Sequence, residues 1–165
     1  MIIFDSNIWI AYLNKSDSTH KQALKLFQET NTKDILITEY LLLEIATVLK
    51  QIQGYEFAQR FIQLIIDENI PFLESKKFYP QTLLLFQSLK ESKLSFVDVS
   101  LLHLSKKYKI KTFDNDLGKR LTLSVNHTPS TELKKVLDES EKNRDDSKYW
   151  KSHSSVKSLT DSLKK

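Results

Sequence analysis

Four carboxylates in this chain stand where a globular protein is expected to place apolar side chains. They are Asp5, Glu44, Asp98 and Asp114. A buried carboxylate is costly unless a cation compensates it, and no Lys or Arg lies beside these four on the same apolar stripes. Oxygen ligands without His or Cys favour a hard cation such as Mg²⁺ or Mn²⁺. Such a site can activate water and stabilise charge on a phosphate, which suggests phosphodiester chemistry.

The elements around these carboxylates indicate how they could meet. Asp5 and Asp114 each follow a short apolar run with the pattern of a strand, and ligands of open parallel sheets bind outside the carboxyl ends of the strands. Glu44 and Asp98 lie near the core-facing stripes of two predicted helices. We therefore expect strand ends and helix faces to bring the four carboxylates into one acidic pocket.

Asp98 has a strong alternative role. The sequence Ser95-Phe96-Val97-Asp98 has the spacing of a capping box, which would open a helix running to Tyr108. Asp98 could then be only a partner in the cap of its own helix. In that case the metal site would be reduced to three carboxylates.

Two further oxygen donors follow Asp114 directly. Asp116 is either a fifth metal ligand or the N-terminal residue of a helix over residues 116–121, where the helix dipole favours a negative charge. Asn115 offers an amide oxygen at the same point, as a group supporting the ligands. Composition and spacing do not decide between these roles.

Three polar residues close to the other carboxylates have a similar ambiguity. Asn7, two residues after Asp5, could orient that carboxylate or bind a phosphate, and its simplest alternative is helix capping. Ser6 and Thr38 could supply hydroxyls behind the metal ligands, but both types are common N-caps, and capping is the interpretation we favour.

Strands alternating with helices predict an α/β fold with a mostly parallel sheet. The predicted strands cover residues 2–4, 34–37, 70–73 and 110–113. Thr38 is expected to cap a long helix over residues 39–53 that ends at Gly54, and a second helix is expected over 55–67. Large aromatic residues such as Trp9, Phe27 and Phe61 are expected in the core or an interface rather than as platforms for stacked bases.

Composition bounds the class of protein. The 165 residues are 40% hydrophobic with a net charge of +4, and there is no cysteine. Disulfides, zinc–thiolate sites and thiol catalysis are therefore excluded. The N-terminus lacks the pattern of a signal peptide, and no apolar run is long enough to span a membrane, so we expect a cytoplasmic protein.

The chain divides by composition into two parts. Residues 1–125 carry the alternating strands and helices and are predicted to form the folded, nuclease-like domain. Residues 126–165 are rich in Ser, Lys, Asp and Glu with few aliphatic side chains. We expect this polar, charged extension to be weakly ordered.

Taken together, the motifs resemble those of the PIN-domain ribonucleases in type and order. The matching segments are Asp5-Ser6-Asn7 after a strand, Thr38-Glu39-Tyr40 leading to Glu44, residues 94–98 before a helix, and residues 112–117 after a strand. Each motif alone is weak, but four in order at compatible spacing are specific. The resemblance covers residues 1–123, which is most of the predicted folded part.

The resemblance implies a three-layer α/β/α domain that cuts single-stranded RNA, or loops of structured RNA, with Mg²⁺ or Mn²⁺. By analogy Asp5, Glu44, Asp98 and Asp114 would be the catalytic metal ligands. Small members of the family are often VapC-type toxins, held inactive by a cognate antitoxin and commonly dimeric. An antitoxin and a second copy of the chain are therefore expected partners, although residues 126–165 make a longer tail than such toxins usually carry.

Alternatives within and outside this family remain open. A PIN domain can serve RNA processing or decay outside a toxin system, or act as a non-catalytic scaffold that binds RNA or protein. Phosphohydrolases of the haloacid-dehalogenase type also place an Asp after the first strand, but they need a second Asp two residues later. Asn7 occupies that position here, which argues against this class.

Overall fold

Four short strands form two parallel pairs in the computed structural model, which describes residues 1–89 and 93–124. The strands are β1 Ile2–Phe4, β2 Ile37–Thr38, β3 Phe72–Leu73 and β4 Lys109–Lys111. β1 pairs in parallel with β4, and β2 pairs in parallel with β3. A parallel bridge between Ile2 and Ile35 joins the two pairs. The segment that leads into β2 therefore lies beside β1, which also pairs with β4.

Seven α-helices accompany the strands within the described ranges. They are α1 Ser6–Leu13, α2 His20–Gln28, α3 Glu39–Gln53, α4 Tyr55–Asp67, α5 Tyr79–Ser88, α6 Phe96–Leu104 and α7 Asn115–Ser124. α1 packs on α2 and α3, α3 on α4, and α6 on both α5 and α7. The predicted three-layer α/β/α fold with a short parallel sheet is confirmed.

The long helices were the most predictable elements. α3 and α4 have the predicted bounds, because capping residues mark the ends of α3. The Thr38 hydroxyl accepts a hydrogen bond from the backbone N–H of Leu41 at 3.3 Å. Gly54 ends α3 with φ at +92°, in the left-handed region that favours glycine.

Several predicted boundaries were wrong. β3 begins at Phe72 and not at residue 70, and β4 spans Lys109–Lys111 and not residues 110–113. α7 spans Asn115–Ser124 and not residues 116–121. The helix α6 ends at Leu104 and not at Tyr108, because the chain leaves the helix through a turn before it enters β4. The second strand does not begin at Asp34, which lies in a 3₁₀ turn that the Asn31 side chain caps.

The predicted core placement of the large aromatic residues near the N-terminus is confirmed. Trp9 and Phe61 are buried, and Phe27 is half-buried against them. The Trp9 ring makes edge contacts with Phe27 at 4.8 Å and with Phe61 at 5.8 Å between ring centroids. Phe4 of β1 packs on Phe27 at 5.0 Å. This aromatic cluster anchors α1 and β1, the elements that flank Asp5.

The predicted extension over residues 126–165 lies outside the described residues, so its order remains a prediction. Within residues 1–89 and 93–124, no helix has the length and apolar character needed to cross a membrane.

Candidate functional site

Asp5 is the most deeply buried carboxylate of the site. It follows β1 directly and is 3% exposed. Its backbone N–H donates to the carbonyl oxygen of Lys111 at 2.9 Å, which extends the pairing of β1 with β4 as far as this residue. Its Oδ1 accepts from the backbone N–H of Ser6 at 2.6 Å. Asp5 is therefore the N-cap of α1, and the prediction that Ser6 caps this helix was wrong.

The second carboxylate oxygen of Asp5 is held by two side chains. Its Oδ2 accepts from Asn7 Nδ2 at 2.7 Å and from Thr112 Oγ1 at 2.6 Å. Asn7 also donates to Thr112 Oγ1 at 3.0 Å and accepts from the backbone N–H of Phe113 at 3.1 Å. The amide of Asn7 thus orients Asp5, which was one of its predicted roles. The same amide joins the start of α1 to the segment after β4.

Thr112 is the residue that the sequence reasoning missed. Its hydroxyl donates to Asp5 and accepts from Asn7 and from the backbone N–H of Asp114, the latter at 2.9 Å. Threonine is common in strands, so its type alone carried no signal. Its role follows only from the pairing of β1 with β4, which places its hydroxyl beside Asp5.

Burial raises the pKa of the Asp5 carboxyl above its ordinary value. Hydrogen bonds from Thr112 and Ser6 oppose this rise, and the negative charge of Asp98 adds to it. Ionising Asp5 is therefore less favourable in the protein than in water. A cation placed beside this carboxylate would remove the penalty.

Glu44 lies half-buried in the second turn of α3 and interacts electrostatically with Asp5 and Asp98. Burial raises the pKa of its carboxyl, a hydrogen bond with Ser6 lowers it, and the charges of Asp5 and Asp98 raise it. Ser6 therefore contributes a hydroxyl to the site, whereas the Thr38 hydroxyl caps α3.

Asp98 forms the capping box that the sequence allows. Its Oδ2 accepts from the backbone N–H of Ser95 at 2.8 Å, and the Ser95 hydroxyl accepts from the backbone N–H of Asp98 at 3.1 Å. The same carboxylate interacts with the charges of Asp5 and Glu44. Capping uses one oxygen and leaves Oδ1 without a hydrogen bond within the described residues, so capping and ion binding are compatible.

Asp114 is exposed and precedes α7. Its Oδ1 accepts from the backbone N–H groups of Asp116 and Leu117 at 2.7 and 2.8 Å, so it caps this helix. Asp116 and Asn115 are exposed residues of the first helical turn. Asp116 thus occupies the position that the helix dipole favours, and its role as a ligand remains a prediction.

Electrostatics links three of the four carboxylates directly. Asp5, Glu44 and Asp98 interact through their charges, and Asp114 is joined to Asp5 through the Thr112 hydroxyl. Within residues 1–89 and 93–124, no group of three or more Asp, Glu, His or Cys side chains is arranged so that it could already hold an ion. Asp5, Glu44 and Asp98 are therefore electrostatic neighbours, and Asp114 is linked to Asp5 through its own backbone N–H and Thr112.

The chemistry of this donor set nevertheless fits a hard cation. In the described part of the chain, the ion pairs are Lys25–Glu29 and Arg60–Glu56, both on helix surfaces. The charges of Asp5, Glu44 and Asp98 are therefore uncompensated by protein cations there. Carboxylate oxygens with net negative charge are the ligands that Mg²⁺ and Mn²⁺ prefer.

Apolar cavities lie elsewhere on the molecule. A groove of about 520 Å³ between α3 and α4 is lined largely by aliphatic side chains, among them Leu42, Leu43 and Ile62. Neither this groove nor the cavities beside Trp9 and beside Arg60 are lined by the four carboxylates.

Comparison with known proteins identifies the fold. The crystal structure of VapC20 from Mycobacterium tuberculosis, described as a toxin that cleaves the sarcin–ricin loop, matches with a TM-score of 0.65. The two sequences are 20% identical, and the match covers 72% of this chain and 94% of VapC20. No curated protein sequence matches significantly. At this identity the structural likeness establishes the fold alone.

A match to a family model shows family membership in addition to the shared fold. The model described as PIN domain matches residues 2–120, which include every carboxylate of the site. The order of motifs, the parallel sheet and this match agree with one another. The chain therefore belongs to the PIN-domain family.

Proposed function

We propose that this protein is a metal-dependent endoribonuclease that hydrolyses phosphodiester bonds of single-stranded RNA or RNA loops. The observation that carries the proposal is the uncompensated charge of Asp5, Glu44 and Asp98 at the carboxyl end of β1. Membership of a family of nucleases supports it. So does the fold shared with VapC20, itself described as an RNA-loop-cleaving toxin.

The residues divide the work of the proposed site. Asp5, Glu44, Asp98 and Asp114 would hold Mg²⁺ or Mn²⁺, and the bound metal would activate water and offset charge on the phosphate. Thr112 and Asn7 hold Asp5 in one orientation by hydrogen bonds to Oδ2, and Ser6 bonds Glu44 beside it. These supporting contacts fix the geometry at which a phosphate would be bound.

Cleavage of a labelled single-stranded RNA tests the enzymatic claim. The wild-type protein should cleave with Mg²⁺ or Mn²⁺ and stop with EDTA. Asp5→Asn and Asp98→Asn should each lower the rate by on the order of a thousandfold, with the circular dichroism spectrum unchanged. Asp67→Asn is the matched control, because Asp67 is an exposed carboxylate bonded to Gln63 on α4. Cleavage that survives both site substitutions would refute the proposal.

We further propose that the nuclease is the toxin of a type II toxin–antitoxin pair, with a cognate antitoxin and a second copy of the chain as protein partners. Expression in a bacterial host should arrest growth, and coexpression of a small neighbouring gene should relieve the arrest. Light scattering of the purified chain should give the mass of a dimer. Normal growth with an active nuclease would instead favour a role in RNA processing or decay.

A further inference from the structure

A second group of aromatic residues, distinct from the cluster around Trp9, extends from the core to solvent on α5. We name Tyr40, Tyr79, Phe86 and Phe96 the aromatic shelf. Tyr79 and Phe86 are 48% and 45% exposed on α5. Residues seven positions apart in a helix point in nearly the same direction, so Tyr79 and Phe86 lie on one face of α5. Such exposure is unusual for two large rings on one helix face. The shelf is therefore a surface feature that the core does not explain.

Ring contacts connect three of the four shelf residues, and Tyr79 interacts electrostatically with Tyr40. Phe86 packs against Phe96 with centroids 5.5 Å apart, and Phe96 packs against Tyr40 at 5.4 Å. Tyr40 rests in turn on the buried ring of Phe78 at 5.4 Å. The helices α3, α5 and α6 thus contribute to one aromatic surface, and the buried ring of Phe78 packs against its inner side at Tyr40.

The shelf adjoins the candidate site through the helices that both share. Tyr40 lies one turn before Glu44 on the same face of α3, about 6 Å along the helix axis. Phe96 lies in the first turn of α6, as does Asp98. Two interactions therefore link α3 to α6. Tyr40 contacts Phe96, and Glu44 interacts electrostatically with Asp98. A strand bound at the carboxylates would have the shelf within reach.

Two lysines add positive charge at the edge of the shelf. Lys76 and Lys77 are exposed in the 3₁₀ turn that precedes Tyr79. This turn is tied to the start of α3, because Glu39 accepts hydrogen bonds from the backbone N–H and the hydroxyl of Ser75. Neither lysine forms an ion pair within the described ranges. Their charge is available for phosphate groups.

We propose that the aromatic shelf, with Lys76 and Lys77, is a subsite that stacks an unpaired base of the RNA strand next to the bond to be cleaved. Exposed π-faces combined with unpaired cations are the features by which proteins hold single-stranded nucleic acid. The groove between α3 and α4 has a different character, with mainly aliphatic side chains. The subsite rests on the proposed ribonuclease function, since its place is defined relative to the carboxylates.

RNA binding without cleavage tests the subsite. Affinity for a labelled single-stranded RNA is measured by fluorescence polarisation in EDTA, beside a ribose-phosphate strand of the same length that lacks bases. The Phe86→Leu and Tyr79→Leu variants keep apolar bulk but remove the ring. Each should weaken binding of the base-bearing strand by about 5- to 100-fold and leave binding of the abasic strand unchanged. Ile66→Ala, at an exposed apolar residue of α4, is the control and should bind as the wild type does.

Substitution of the two lysines should affect RNA binding in a different way from substitution of the rings. Lys76→Gln with Lys77→Gln should weaken both strands equally and reduce the dependence of log affinity on log salt by roughly 0.7 for each lysine. Wild-type affinity in both ring variants would overturn the subsite, as would undetectable binding of RNA by the wild type. A loss that accompanies dissociation of a dimer in light scattering would overturn it as well, by assigning the shelf to a second copy. This assay measures binding and not cleavage. A negative result would therefore argue against the subsite and leave the proposed nuclease activity to its own test.

Discussion

The two sides of the carboxylate site are built differently. On one side, Asp5 is buried, and both of its oxygens accept hydrogen bonds, from a backbone amide and from Asn7 and Thr112. On the other side, Asp98 and Asp114 lie nearer to solvent. Each of these gives one oxygen to the N-terminus of its own helix and keeps the other free of hydrogen bonds from the described residues.

This difference indicates which ligand is fixed and which ligands can adjust. Asp5 cannot turn without losing several charge-assisted hydrogen bonds. Asp98 and Asp114, the outer carboxylates, each have one oxygen that accepts no hydrogen bond from the described residues. The side chains have not converged around an ion position. We therefore infer that Asp5 is the anchor of the proposed metal site, and that the outer carboxylates move toward it when a cation binds.

Among substitutions of residues that support the proposed ligands, removal of the Thr112 hydroxyl should have the largest effect. Thr112→Val deletes the hydroxyl that contacts Asp5, Asn7 and Asp114. We expect the RNA cleavage rate to fall by roughly 10- to 100-fold, as for groups that support metal ligands. The free energy of unfolding should fall by about 1–3 kcal/mol, because a buried carboxylate loses a donor. Thr112→Ser keeps the hydroxyl and should retain both properties, so equal rates for the two variants would contradict a fixed anchor.

The pH dependence of stability separates the buried side from the exposed one. Burial raises the pKa of Asp5 and of Glu44 above their ordinary values of 3.8 and 4.5. Between these values and the raised ones, the folded protein holds more protons than the unfolded chain. The stabilising effect is therefore complete at low pH, and the free energy of unfolding decreases as pH rises through this window.

Thermal melts in EDTA between about pH 4 and pH 8 measure this decrease. Asp5→Asn should flatten the profile, and asparagine can still cap α1. Mg²⁺ should restore stability at the upper end of the range, since binding to the folded state stabilises it. A wild-type profile that the substitution leaves unchanged would show that Asp5 carries no ionisation penalty.

Removing the Ser95 cap, on the exposed side of the site, should lower the cleavage rate less than Thr112→Val does. Ser95→Ala removes the hydroxyl of the capping box but leaves the backbone N–H that holds Asp98. We expect a loss of about 1 kcal/mol in the free energy of unfolding, measured by urea denaturation, with little change in the cleavage rate. A loss of cleavage as large as that of Thr112→Val would show that the two sides are equally rigid.

The smallest effect is expected at Asp116, whose exposed side chain accepts no hydrogen bond within the described residues. Asp116→Asn should change the cleavage rate by less than about twofold, as is usual for surface substitutions. Asp114→Asn should lower the rate far more. Equal losses in a side-by-side assay would assign Asp116 as a further ligand.

Local sequence signals predicted the elements that local chemistry controls. The bounds of α3 and α4 followed from Thr38 and Gly54, because a cap hydroxyl and a positive φ are properties of single residues. The end of α6 did not follow, since Leu104 is succeeded by residues that could continue a helix. Only the need to enter β4 turns the chain there.

The candidate site shows the same division. The acidic residues could be singled out because each contradicts the apolar pattern around it. Thr112 could not, because its role depends on β1 and β4 lying side by side, which is a long-range property. The choice between cap and ligand for Asp98 was also undecidable from sequence, since the carboxylate has two oxygens and the structure uses one of them in the cap.

Binding of Mn²⁺ to the metal-free protein, followed by electron paramagnetic resonance without RNA, tests the anchoring role of Asp5 most directly. The wild-type protein and Asp67→Asn should bind Mn²⁺ with equal affinity. Asp114→Asn should bind more weakly, and Asp5→Asn should lose at least about tenfold in affinity while its melting temperature at neutral pH is maintained. Mn²⁺ binding by Asp5→Asn at the wild-type affinity would contradict the assignment of Asp5 as the anchor.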